Sequence, residues 1–196
     1  MKWLDVKIAT LQKMFAAEGN EIPSDGSADD YVAAMPYAAN EALQMLATAG
    51  RFLIKSIAIE HDGTNKKYDL KTMVTDYYDL DYIIYESEDY SIYREFVKYR
   101  MENGQLVLFN APKGTYTVYY KAYPADITED TDDDYVLPLK PEVVVLIPLY
   151  MASQLYKEDD NSLATSYRNE FEVGFERLNK LISDSTQEFV SESGWI

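Results

Sequence analysis

The sequence predicts an α+β protein: a helical bundle built from both chain ends, with an inserted antiparallel β-sandwich or barrel-like domain. Apolar residues recur at helical spacing before residue 50 and after residue 140. Between them the pattern changes to the alternation of strands, and Asn103-Gly104 is a hairpin signal. The helical bundle is predicted over residues 1–50 and 135–184. Residues 51–134 are predicted to form a β-rich insert with an acidic connector, and residues 185–196 an extended C-terminal tail.

Two helices are predicted near the N-terminus. The first covers residues 5–17, and Gly19-Asn20 ends it. Asp29 or Asp30 can cap a second helix over most of residues 29–49, because short acidic side chains accept hydrogen bonds from the first free backbone N–H groups. Pro36 either kinks this helix or lies near its true start.

The central region predicts several short strands separated by turns. A short helical turn is expected near residues 70–74. Branched and aromatic residues predict strands at 51–60, 82–85, 96–100, 106–109 and 115–123. Turn residues separate them at 61–65, 102–105 and 110–114.

The C-terminal third predicts a helical hairpin. Pro138 and Pro141 suit a helix start, and Pro148 predicts a bend near Val144 to Pro148. An acidic turn over residues 157–161 leads into a last helix from Ser162 to about Ile182. Its apolar stripe is Leu163, Tyr167, Phe171, Phe175, Leu178 and Ile182, with Gly174 allowing a close approach.

The charge balance excludes several classes of function. The chain has 196 residues, of which 34 are acidic and 18 basic, for a formal net charge of −16. This disfavours nucleic-acid binding through phosphate neutralisation and disfavours anionic membranes. The charge either keeps the protein soluble or lets DNA pass close by without sticking. With no apolar segment of signal-peptide or membrane-span length, we expect a soluble protein that acts where it is made.

No motif for catalysis, a cofactor or a metal is found in the sequence. There is no cysteine and one histidine, His61, expected to be an incidental surface residue in a turn. The spacing Asp130-x-Asp132-x-Asp134 imitates the start of a calcium loop, but Tyr135 and Pro141 stand where such a loop needs glycine and glutamate. We therefore expect no enzyme, no cofactor and no metal, with a weak surface cation at the connector left open.

Tyrosines are concentrated in the predicted insert. Eleven of the 18 lie between Tyr77 and Tyr123. On a sheet face they can contact another protein or stack on sugars, whereas tyrosine also favours strands in general. A carbohydrate- or surface-ligand-binding module therefore stays open as the alternative function, and an acidic hydrolase as a third.

Three stretches carry a resemblance to a known class of protein. They are residues 30–43 (DYVAAMPYAANEAL), residues 116–128 (YTVYYKAYPADIT) and residues 147–160 (IPLYMASQLYKEDD), the last continuing into the final helix. With them the chain resembles the head-to-tail adaptor, or connector and head-completion, proteins of tailed bacteriophages.

The resemblance implies a structural subunit of the virion neck, made in the host cytoplasm. Such subunits form a homo-oligomeric ring, commonly a dodecamer, that docks under the portal protein, extends the DNA channel and offers a platform for the tail or its stopper. DNA would pass without specific binding, and no membrane is involved.

The same resemblance suggests two sets of functional residues. The C-terminal tail would dock on the portal through Phe189, Val190, Trp195 and Ile196, unless it is a free end without a partner. Acidic residues would face the channel and repel phosphates over the screening distance of about 8–10 Å, although they can equally face outward. The candidates are Asp130, Asp132, Asp133, Asp134, Glu158, Asp159 and Asp160.

Overall fold

A computed structural model of the chain describes residues 1–14, 19–50, 53–64, 67–87 and 93–187. These residues form helices and antiparallel sheets, which confirms the predicted α+β class. The helices are α1 (Trp3–Lys13), α2 (Asp29–Thr48), α3 (Leu70–Met73), α4 (Pro141–Val144), α5 (Ile147–Leu155) and α6 (Asn161–Gln187). The strands are β1 (Ile54–His61), β2 (Lys67–Asp69), β3 (Tyr77–Ser87), β4 (Tyr93–Glu95), β5 (Tyr99–Glu102), β6 (Gln105–Leu108) and β7 (Gly114–Ala122).

The chain divides into two compact units. Met1–Leu46 and Asp126–Ile196 form the helical unit, and Ala47–Ala125 form the inserted unit. The acidic connector, residues 126–134, lies in the helical unit, whereas the sequence grouped it with the insert.

Helices α1, α2, α5 and α6 all contribute buried side chains to the core of the helical unit. Phe171 of α6 is fully buried, with its ring centroid 5.1 Å from that of Tyr150 on α5. Thr10 of α1 is also buried, and its hydroxyl donates to the carbonyl of Val6 in the preceding turn. This bond satisfies the hydroxyl, so a polar residue is tolerated in the core.

The bend predicted at Pro148 is confirmed as a break between two short helices. Helix α4 ends at Val144 and α5 begins at Ile147, which places Pro148 in the first turn of α5, where its missing N–H costs nothing. The close approach at Gly174 is also confirmed. A Cβ atom there would lie 2.5 Å from Leu146 Cδ2, so only a residue without a side chain fits this contact unchanged.

The inserted unit contains two antiparallel sheets. One has the strand order β1-β7-β3-β4, and the other has the order β2-β6-β5. Alternate residues of β7 are buried, among them Tyr116, Val118 and Tyr120. In the register, Val118 pairs with Ile57 on one side and with Ile83 on the other, so these three side chains share the inner face.

The hairpin predicted at Asn103-Gly104 is confirmed, with positive φ angles of 53° and 82° between β5 and β6. The single strand predicted over residues 96–100 is wrong. Residues 96–98 cross from β4 in one sheet to β5 in the other. The N–H of Phe96 donates to Ile83, whereas the carbonyl of Lys98 accepts from Phe109, so the segment changes partner within three residues.

The extended tail predicted to begin at Ser185 is wrong at its start. Helix α6 continues to Gln187. The backbone bonding of a helix can continue past the end of its apolar stripe, and residues 183–187 contain neither glycine nor proline to stop it. The predicted docking residues, Phe189, Val190, Trp195 and Ile196, lie outside the described residues.

Candidate assembly site

The acidic connector is bound to the start of α1 through the backbone. An isolated bridge pairs Lys2 with Val136. The N–H of Trp3 donates to the carbonyl of Tyr135 over 2.8 Å, and the N–H of Leu4 donates to that of Asp133 over 3.1 Å. The first N–H groups of a helix have no partner within it, so Asp133 of the connector and Tyr135, directly after it, satisfy two of them.

Side chains add ion pairs to the same contact. Lys7 pairs with Asp133, and Lys2 Nζ lies 2.7 Å from Asp134 Oδ1. The hydrogen bond and charge of Lys2 hold the pKa of Asp134 below its ordinary value. Asp132 accepts the N–H of Asp134 over 2.7 Å. Three predicted channel-facing acids therefore have local bonds, and the exposed pair of Lys2 with Asp134 contributes little stability.

An asparagine on α2 holds the other end of the connector, and the sequence analysis missed this role. Asn40 Nδ2 donates to the carbonyl of Ile127 and Asn40 Oδ1 accepts the N–H of Ile127, each over 2.8 Å. The side chain thus imitates a strand partner. The only signal in the sequence was a poor helix former inside a predicted helix.

Acidic residues of the turn between α5 and α6 also accept hydrogen bonds within the helical unit. Asp160 Oδ1 accepts the N–H groups of Ser162 and Leu163 at 2.9 and 3.0 Å, which caps α6. Asp159 accepts the hydroxyl of Tyr31 at 2.6 Å. This hydrogen bond, aided by burial, raises the pKa of Tyr31 to about 12.

The seven predicted acids thus form two clusters in the helical unit. One is the connector with Asp130, Asp132, Asp133 and Asp134, and the other is the turn with Glu158, Asp159 and Asp160. Asp130 and Glu158 are both exposed. Their orientation toward a channel stays a prediction, since it depends on how copies assemble.

Among the residues that the structure describes, the tyrosines on the inner face of the inserted unit are mostly core residues. They do not form a binding platform. Tyr116, Tyr85 and Tyr120 are buried. Their hydroxyls donate to the carbonyls of Pro112 and Lys113 and to the carboxylate of Asp76. Burial with a satisfied hydroxyl is the usual role of tyrosine in a sheet core.

Two tyrosine pairs lie at the surface of the same unit. Tyr82 and Tyr119 stack with their centroids 4.4 Å apart and their planes at 14°. Tyr78 and Tyr123 lie 5.2 Å apart with a tilt of 58°. In the stacked pair each ring covers a face of the other, which leaves less flat aromatic surface for a sugar than the sequence suggested.

His61 is not the surface residue that we expected. It ends β1 and is 3% exposed. Its Nδ1 lies 2.6 Å from the hydroxyl of Tyr68, and its ring meets the edge of Tyr116 at 5.5 Å. The turn begins one residue later, so His61 still faces the core with the alternate residues of β1.

No cluster of three or more histidine, cysteine, aspartate or glutamate side chains with metal-binding geometry occurs among the described residues. In the same part of the chain, every helix is too short or too polar to cross a membrane.

Comparison with known proteins adds the decisive observation. A family model described as SU10 adaptor protein matches residues 1–191. The chain belongs to the SU10 adaptor protein family. No curated protein matches it significantly.

The SU10 adaptor protein family is a family of phage head-tail adaptors. The chain is therefore a structural adaptor of a bacteriophage, which confirms the resemblance at the level of the family. The match spans residues of both units.

Proposed function

We propose that this SU10 adaptor is a structural subunit of the virion neck that forms a homo-oligomeric ring, a dodecamer. The ring docks under the portal protein, extends the DNA channel and provides the platform for the tail or its stopper. The observation that carries the proposal is the family match over residues 1–191. An adaptor has to contact both portal and tail, and a closed ring is the assembly that leaves a passage for DNA.

The distribution of charge supports a conduit for DNA. The helical unit contains 23 acidic and 8 basic residues, a formal net charge of −15. A channel wall of this sign repels phosphates and lets DNA move without binding. In this proposal Asp130 and Glu158 face the channel, together with the bonded acids of the connector and of the turn before α6.

The proposed role requires no catalysis and no cofactor. Asp133 and Asp134 pair with lysines, Asp160 caps α6 and Asp159 accepts from Tyr31. These acids form bonds within the folded chain, which supports a structural function.

The C-terminal residues are proposed to dock on the portal. Phe189, Val190, Trp195 and Ile196 supply apolar side chains at the end of an otherwise polar segment. Their burial in a groove of the portal would offset the entropy lost when the segment is ordered.

The proposal is tested by sedimentation velocity of the purified adaptor mixed with the portal ring from the same genome. The adaptor should co-sediment with the portal as one larger species. The variant F189A/V190A/W195A/I196A should bind the portal at least about tenfold more weakly, because the loss of about 1.4 kcal/mol from the four apolar anchors together is already enough for that change. The matched variant S191A/S193A should bind like the wild type.

Two results would count against this account. A wild-type adaptor that never sediments with the portal would contradict the neck role. Portal binding that is equal in the apolar and the serine variants would refute only the docking role of the C-terminal residues.

A further inference from the structure

The two units differ sharply in charge. The inserted unit has 11 acidic and 10 basic residues, a formal net charge of −1, whereas the helical unit carries −15. More than half of the basic residues of the chain thus lie in its less acidic unit. A heterologous contact between copies, which joins one surface to a different surface of the next copy, can use such a difference.

Part of this basic charge surrounds a surface cleft, which we call the β-unit cleft. It has a volume of about 210 Å³ and is lined by residues 94–98 together with Asn110 and Pro112. Arg94 and Lys98 are its cations, and both are exposed. Neither forms a salt bridge with another residue that the structure describes. Among the lining residues that the structure describes, Glu95 is the one carboxylate.

The β-unit cleft also presents exposed apolar surface. Val97, one of its lining residues, is 72% exposed. Phe109, next to Asn110, is 38% exposed, and the guanidinium of Arg100 lies 4.8 Å from its ring centroid. Exposed apolar side chains bordered by arginine are typical of protein interfaces.

The walls of the cleft are fixed by the core beneath them. Phe96 is buried, and its ring packs edge-on against Tyr116 at 5.1 Å. The hydroxyls of Tyr116 and Tyr85 donate to the carbonyls of Pro112 and Lys113 at 2.8 and 3.0 Å. A wall held in this way loses little entropy on binding, which favours a specific contact.

We propose that the β-unit cleft binds the acidic connector of a second copy of this chain. Arg94 and Lys98 of one copy would pair with Asp126 and Glu129 of the next, and Val97 would be buried between them. This inference deepens the proposed function and rests on it, because it assigns one of the surfaces that join neighbouring copies in the ring.

The connector suits this role better than the other acidic segments. Asp126 and Glu129 are exposed and form no salt bridge with a described residue. The backbone near them is held by Asn40 at Ile127 and by the bridge from Lys2 to Val136. Two exposed carboxylates on a held backbone would thus meet two exposed cations beside a fixed wall. Salt should weaken the contact, since the charges lie at the surface.

The test compares ring assembly of full-length variants by sedimentation velocity, with and without the portal, at low and at high salt. R94E/K98E should weaken assembly at least about tenfold, because it turns two attractions into repulsions. D126K/E129K should weaken it similarly. The quadruple variant R94E/K98E/D126K/E129K should assemble nearly as the wild type does, since the complementarity is restored with reversed signs. K71E/K180E is the matched control with the same change in net charge as R94E/K98E.

The outcomes separate this inference from the function on which it rests. Weakening by both double variants with rescue in the quadruple variant supports the contact. An undiminished ring in R94E/K98E, or weakening without rescue, overturns it while leaving the neck role standing. A wild-type chain that forms no ring with the portal contradicts the neck role itself. If R94E/K98E keeps the ring but abolishes binding of duplex DNA in fluorescence anisotropy, the cleft binds phosphates instead.

Discussion

At the level of single residues, Gly114 lies so close to the backbone of a neighbouring strand that a side chain cannot fit there. Gly114 begins β7 with a φ angle of 150°, in a region that favours glycine. A Cβ atom there would lie 2.5 Å from the carbonyl oxygen of Glu86 and 2.8 Å from the ring of Tyr85. Because the first neighbour is backbone of the paired strand, it cannot move aside as a side chain tip can.

Replacing Gly114 with alanine should therefore destabilise the inserted unit by about 3 kcal/mol, the range expected for strained backbone combined with overpacking. Urea unfolding followed by circular dichroism measures the change. Gly63→Ala is the control, because it has a similarly positive φ of 85° but open space around the added atom. It should cost about 1 kcal/mol. Equal costs at the two positions would refute the clash.

A buried phenol predicts how stability depends on alkaline pH. Burial and the hydrogen bond to Asp76 raise the pKa of Tyr120 to about 12, above its ordinary value of 10. The stabilisation from this group is complete below pH 10 and is lost as the pH rises through 12. The free energy of unfolding should fall over this window, and Tyr120→Phe should reduce the fall by about 2 kcal/mol. A slope that stays unchanged in Tyr120→Phe would contradict this assignment.

Among the elements, those with strong local signals were predicted well. The periodicity of α2, the Asn103-Gly104 hairpin, the short helix α3 and the break at Pro148 all follow from interactions within a few residues, which sequence patterns record. The close approach at Gly174 was predicted for the same reason, since a glycine on an apolar stripe has few other uses.

Two of the errors have a common cause in long-range pairing. Residues 96–98 leave one sheet for the other because Ile83 and Phe109 are their partners, and neither is near in sequence. His61 is buried because Tyr68 and Tyr116 converge on it. The end of α6 was placed too early because the apolar stripe fades before the backbone bonding does.

The cap of α6 gives a prediction about one of the candidate acids. Asp160→Ala removes the acceptor for two N–H groups and should destabilise the protein by about 1 kcal/mol. Glu158→Ala, an exposed position two residues earlier, should have almost no effect. Guanidinium unfolding of both variants measures the difference. If the two variants were equally stable, the capping role of Asp160 would be wrong.

At the level of the whole molecule, the strand pairing explains how the chain can enter and leave the inserted unit at neighbouring points. The insert enters through β1 and leaves through β7, and these strands pair with Ile54 opposite Lys121. The N–H of Ala122 donates to the carbonyl of Leu53 over 3.0 Å. Opposed residues of antiparallel strands have Cα atoms about 5 Å apart, so the ends of the insert are adjacent.

Adjacent ends predict that the two units fold separately. Replacing residues 47–125 with a short Gly-Ser linker should leave the helical unit with helical circular dichroism and a cooperative thermal transition. Residues 47–125 expressed alone should also unfold cooperatively, as expected of a unit with its own core. Loss of cooperativity in both fragments would contradict independent folding.

The candidate site was only partly predictable. The acidic clusters were visible in the sequence, because charge needs no structure to be counted. The clamp from Asn40 to Ile127 and the β-unit cleft were not, since each joins segments distant in the chain. Only the folded chain brings these segments together.

The most direct test of the neck role is electron cryomicroscopy of the full-length chain mixed with the portal ring from the same genome. We predict a second ring, stacked coaxially on the portal, whose central passage continues the portal channel. Portal rings that stay bare, with the adaptor folded but monomeric beside them, would contradict the assignment.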